Sequence, residues 1–132
     1  MHLPGMDGAH PPHALGRWGE DRACAYLEQR GWTILARNYR FGRREVDVVA
    51  RRGSVVAFVE VKTRAGVGYG APLEAVTRLK RREIEAVAGQ YVARHRLIGV
   101  DIRFDAVSIV VERPGARARI EHVEDAWRPG WE

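Results

Sequence analysis

Apolar and polar positions along this chain recur with a period that changes from helical to alternating and back. From Ala14 to Arg30 the spacing is helical: Leu15, Trp18, Cys24 or Ala25, and Leu27 return to roughly one face, and Gly31 suits the position that closes a helix. The period then shortens to two. WTILARNYR (32–40) reads as a strand, FGRR as a turn, and EVDVVA (45–50) as a second strand. RRGS is a tight turn into VVAFVEVK (55–62), so the second and third strands form a hairpin. TRAGVGYGAP (63–72), with three glycines and a proline, reads as a loop. A long amphipathic helix is predicted over Thr77 to His95. It turns Leu79, Ile84, Val87, Ala88, Tyr91 and Val92 inward and Arg78, Arg81, Arg82 and Arg94 mostly outward. DIRFDAVSIVVE (101–112) alternates as a fourth strand, and RIEHVEDAW (119–127) supplies a short fifth. The order α-β-β-β-α-β-β, without internal repeat or long linker, predicts an α/β domain: a mixed central sheet flanked by helices.

At 132 residues this is one domain with one core. Residues 15–132 carry the pattern. The stretch MHLPGMDGAHPPHA (1–14) has neither the basic nor the apolar region of a secretory signal, so a flexible tail is expected there. The spacing of its His2, His10 and His13 fits no metal-ligand pattern. No apolar run approaches the ~20 residues of a membrane helix, and no membrane partner is expected. A lone cysteine, Cys24, excludes an intrachain disulfide, suits a reducing cytoplasm and reads as a small core residue. The net charge of +5 favours polyanions, nucleic acid first. Of the 22 cationic residues 20 are arginine; the lysines are Lys62 and Lys80. If drift toward arginine has emptied the other positions, these two mark sites that need a compact, titratable ammonium.

One of them lies in FVEVKTR (58–64). Strand alternation puts Glu60 and Lys62 on one face and Val59 and Val61 on the other, and Glu45 and Asp47 alternate with Val46 and Val48 in the same way. A hairpin turning at RRGS brings Asp47 within cross-strand reach of Glu60. Two carboxylates on one face repel unless a cation sits between them. Lys62 supplies one charge, and a divalent metal would supply the rest, its oxygen donors suiting Mg2+ or Mn2+. Glu20, in GRWGEDR of the first helix, is a third carboxylate, and the two glycines beside it permit close approach of a strand or phosphate.

Glu20, then Asp47, then Glu60-Val61-Lys62, followed by a basic helix, resembles the PD-(D/E)XK nuclease superfamily, with Val46 where the nominal proline would stand. GRWGEDRACAYLEQRGWTILARNYR, REVDVVA, FVEVKTR, APLEAV and IRFDAV together resemble the YraN-like family of uncharacterised bacterial proteins, itself regarded as similar to archaeal Holliday junction resolvases. The resemblance spans roughly residues 15–127. It implies a restriction-endonuclease-like fold and metal-dependent endonuclease activity on nucleic acid, DNA of structured or branched form above all. It also implies that Asp47 and Glu60, with the Val61 carbonyl, hold Mg2+ or Mn2+, and that Glu20 binds metal directly or through water. Lys62 would orient or deprotonate the attacking water; arginine in its place would stay charged and could not serve as the base.

Other readings stand beside these. Glu20 has a second reading as a surface carboxylate near Arg17 or Arg22, and Glu45 is a ligand or a support for Arg43, Arg44 or another cation. Lys80 reaches a phosphate or joins a solvated face with Arg81 and Arg82. Arg64, just past the third strand, is placed for phosphate contact, while Asp105 alternates with Arg103 as a structural ion pair. Arg40, Arg43, Arg44, Arg51 and Arg52 cluster at the hairpin ends, where they could track a duplex. The glycine-rich loop 65–70, with Tyr69 near its tip, reads as a flap over DNA or as plain turn geometry. A nucleic-acid-binding module that never turns over, or an accessory protein binding an acidic partner, are the rival functions. A resolvase acting on two strands would work as a homodimer.

Overall fold

A computed structural model describes residues 14–68 and 70–130. The tail histidines and Tyr69 lie outside the described residues, and Ala14 is the first residue of α1 (Ala14–Gln29). The helix closes at Gly31, whose φ of 88° is open to glycine and strained for other residues. Five strands follow: β1 (Thr33–Phe41), β2 (Arg44–Arg52), β3 (Val55–Ala65), β4 (Asp101–Val111) and β5 (Arg119–Trp127). Between β3 and β4 come a short 3-10 turn, Pro72–Ala75, and the second helix, α2 (Arg78–Arg94).

The strands lie in chain order, β1-β2-β3-β4-β5. β3 and β4 are parallel and every other neighbouring pair is antiparallel. A parallel pair needs a crossover, and the 3-10 turn and α2 supply it. Alternation along β3 divides the core in two. Val56 and Phe58 pack with Ile84, Val87, Ala88 and Tyr91 of α2. Ala57 and Val59 pack with Ala23, Cys24 and Leu27 of α1. The sheet is thus covered on both faces, which is why β3 reads as a nearly continuous apolar run.

Among the described residues no helix is long and apolar enough to cross a membrane. The element order is the one the pattern predicts, with two local corrections. Thr63, Arg64 and Ala65 extend β3 rather than opening a loop, because β4 continues beside them as far as Ala65↔Val111. Leu79 is 70% exposed instead of inward: it falls in the first turn of α2, whose buried residues begin at Ile84.

Candidate active site where two strands part

β2 and β3 pair from Arg52↔Val55 to Val48↔Val59 and then separate. β2 runs on to Arg44 with β1 as its partner, and β3 runs on to Ala65 with β4. Asp47 is the first residue of β2 past the split. Its Oδ2 accepts a 2.7 Å hydrogen bond from the backbone N–H of Val61, so the side chain occupies the place a ladder carbonyl would have taken. The regular alternation expected through Glu45–Val48 is broken here. Val46 packs in the α2 core and Val48 in the α1 core, although two residues apart they would share a face in a regular strand.

Glu60 stands beside Asp47 on the α2 side of β3 and is only 3% exposed, yet its Oε1 has no hydrogen-bond partner. Burial pushes its carboxyl up to about 8, with the charge of Asp47 and a hydrogen bond to it adding to the rise. Lys80 and Lys62 pull the other way. Lys62 Nζ lies 3.6 Å from Glu60 Oε2, and its side chain stays 37% exposed. Lys80 donates to the Glu45 carbonyl at 3.0 Å and pairs with Glu83 at 3.5 Å. The chain's two lysines, from separate elements, therefore act on one buried acid. Glu45 itself pairs with Arg40 at 2.9 Å, so its carboxylate supports a cation.

Glu20 reaches this region from α1. Burial raises its carboxyl and Asp47's charge raises it further, while Asn38 and Arg37 oppose both. Asn38 Nδ2 donates to Glu20 Oε1 at 2.9 Å, and Arg37 bridges Glu20 and Asp21. Asn38 was missed by sequence reading, but carried a signal. Asparagine is uncommon in strands, and this one adopts φ 51°, which asparagine tolerates better than most residues. Gly19 sets the approach: a Cβ there would overlap Thr63 Oγ1 of β3. Among the described residues no three of the His, Cys, Asp and Glu side chains already converge as a metal-ligand set. The fold unites Asp47, Glu60 and the two lysines and leaves Glu20 in polar contacts of its own.

The arginines do not gather in one patch. Arg43 and Arg44 are exposed at the β1–β2 tip, near Asp47 in the chain. Arg51 and Arg52 sit at the far end of β2, about 26 Å from Arg44 at 3.3 Å per residue, where they donate to the Gly53 and Arg30 carbonyls. Arg64 lies two residues beyond Lys62 on the same strand. Asp105 is the ion-pair residue expected, held twice by Arg103 at 2.9 Å.

The model of the uncharacterised protein family UPF0102 matches residues 19–109 of the chain. A UPF0102 protein of Geobacter sulfurreducens is 44% identical over 125 residues, covering 95% of this chain and 97% of that one. One of Rhodococcus opacus is 45% identical over 114 residues, covering 86% and 96%. Among solved structures, Pyrococcus furiosus SfsA in complex with Ca2+ aligns with TM-score 0.29 and 16% identity over 86% of this chain and 61% of that one. An alignment at that level carries no functional argument.

Proposed function

The chain belongs to the uncharacterised protein family UPF0102, a membership that assigns no activity, and from the site's own chemistry we propose a metal-dependent nuclease. In this reading the domain is restriction-endonuclease-like, of the PD-(D/E)XK type, and hydrolyses phosphodiesters of nucleic acid, structured or branched DNA first. One observation carries it: Asp47 meets Glu60, whose buried Oε1 lacks a partner, with Lys62 3.6 Å away and the charge of Lys80 acting on the same acid. A buried acid with an orphaned oxygen beside a second acid is a poor structural device and a good cation receptor.

Asp47 and Glu60 would hold Mg2+ or Mn2+, with Glu20 in support. The Val61 carbonyl would join them, because the N–H and C=O of a strand residue point the same way, here into the gap beside Asp47. A bound divalent ion would neutralise phosphate charge and acidify water. The remaining steps belong to the chain. Glu60 must release its proton for a cation to enter. Lys62, half in solvent beside Glu60, meets the phosphate and orients the attacking water. Lys80, anchored to the Glu45 carbonyl, holds α2 against β2 and offsets the charge that Glu60 gains. Arg43, Arg44 and Arg64 guide the backbone on either side.

Titrating Mn2+ into the protein and into Asp47→Asn, by calorimetry or paramagnetic line broadening, tests the receptor. Binding in the first, lost in the second, is the expected result. Cleavage of branched and linear DNA should then fall about a hundredfold or more in Lys62→Ala. Folded Asp47→Ala and Lys62→Ala proteins that cut every substrate as well as the parent would overturn the mechanism. Salt-sensitive DNA binding with no cleavage in either metal would favour a silent binding module.

A further inference from the structure

On β3, Glu60, Lys62 and Arg64 follow at intervals of two, and the parallel ladder sets Ser108 beside Lys62 and Val110 beside Arg64. Past Lys62 the surface opens into a cleft of about 160 Å3 lined by Arg64, Gly70, Ala71, Glu74, Ala75 and Ser108. Ser108, on β4, is 5% exposed, an uncommon burial for a serine. Glu74 comes from the 3-10 turn. A Cβ at Gly70 would overlap Glu74 Oε2, so the bare backbone at 70 lets the loop lie against that carboxylate.

The walls decide what fits. A guanidinium alone would suggest a phosphate, but the Glu74 carboxylate in the same small cleft repels one. A carboxylate accepts hydrogen bonds, a guanidinium donates them and a serine hydroxyl does both, a mixture that matches groups with N–H or O–H donors and acceptors close together. The volume is about that of one base or one pentose ring. The cleft also begins one strand step beyond Lys62, which the proposed reaction places at the phosphate.

We propose that this cleft is a nucleoside subsite, seating the base or sugar of the nucleotide next to the cleaved phosphate. Glu74 accepts a hydrogen bond from an exocyclic amine or a hydroxyl, Ser108 completes the contact, and Arg64 lies toward the backbone. The role in cleavage rests on the nuclease reading; nucleoside binding by the cleft does not.

The test is amide chemical-shift mapping in metal-free buffer, with cytidine 5′-monophosphate, its 2′-deoxy form, ribose 5-phosphate and inorganic phosphate as separate ligands. Saturable shifts at Ser108, Glu74 and Arg64 are expected with the nucleotides and not with inorganic phosphate. Equal binding of the two cytidine nucleotides with none of ribose 5-phosphate assigns the base amine as the donor, and preference for the ribose form together with binding of ribose 5-phosphate assigns the 2′-hydroxyl. Glu74 is exposed, so its variants should fold. Glu74→Ala should weaken nucleotide binding about tenfold, and Glu74→Lys should open the cleft to inorganic phosphate. Inorganic phosphate binding as well as the nucleotides, no shifts with any ligand, or affinity unchanged in Glu74→Ala would each overturn the subsite. If Mn2+ binds at Asp47 while nucleotides fail, the subsite falls and the nuclease reading stands. If nucleotides bind and Mn2+ does not, the reverse holds.

Discussion

Glu60-x-Lys62 and Arg103-x-Asp105 are mirror images in the sequence, each an acid and a base one strand step apart, and the fold treats them in opposite ways. Burial works against an ionised Asp105. Hydrogen bonds from His122, Arg103 and the Asp125 backbone nevertheless hold it below the usual carboxylate range. Burial of Glu60 is reinforced by a second acid, and its carboxyl rises to about 8. The sequence could not separate the two cases, because the deciding partners come from β5 for Asp105 and from the split of β2 for Glu60. The signs of the two pH effects differ. Glu60 holds its proton more tightly in the folded protein, so its contribution is complete below about 4.5 and is lost as pH rises toward 8. In metal-free buffer the unfolding free energy should fall across that window, at up to about 1.4 kcal/mol per pH unit, and Glu60→Gln should flatten the fall. A parent protein whose stability is level from pH 5 to 8 would contradict this assignment. Asp105 contributes above its unfolded pKa and loses that contribution as pH falls. Asp105→Ala, leaving the His122 side chain without its acceptor and half-buried Arg103 with Glu124 alone, should lower unfolding free energy by about 3 kcal/mol in urea titration.

At the scale of elements, the strands and helices were readable because each carries its own period, and the errors fall where an element meets another. Regular alternation through Glu45–Val48 fails at Asp47, since pairing ends there and no local pattern records where a partner leaves. Leu79 fits the helical stripe but precedes the buried stretch of α2. The turn Pro72–Ala75 is too short to show a period at all. Gly19 was legible only as a small residue beside Glu20, whereas its function is to let α1 settle on Thr63. Gly19→Ala should therefore destabilise the domain by about 1–3 kcal/mol as an overpacked contact, read from the denaturant midpoint. Adding Thr63→Ala removes the Oγ1 and Cγ2 that a Cβ would meet but keeps the Thr63 Cβ nearby, so it should recover part of the loss. Strict additivity of the two substitutions would show that they do not share a contact.

Across the whole molecule, a net charge of +5 favours polyanions and cannot say which surface would meet one. The hairpin arginines lie at its two ends, as the pattern predicts: Arg43 and Arg44 stand at the start of β2 and Arg51 and Arg52 at its finish, nine residues of strand apart. The carboxylate pair lies toward the first end. Arg40 there is matched by Glu45, and Arg52 at the second end is turned inward over Trp32, 4.5 Å from its ring centroid, and onto the Arg30 carbonyl. If nucleic acid approaches the site, it meets Arg43 and Arg44 and leaves Arg51 and Arg52 untouched. DNA affinity measured against salt separates these surfaces, because each phosphate contact adds about 0.9 to the slope of log K against log salt concentration. Arg43→Ala and Arg44→Ala should each lower that slope by roughly one, whereas Arg51→Ala and Arg52→Ala should leave it unchanged. Equal effects from all four would mean that diffuse charge governs binding and that the carboxylate end has no privileged access to the backbone. A selective loss at the first end would tie Asp47 and Glu60 to the surface that meets the nucleic-acid backbone.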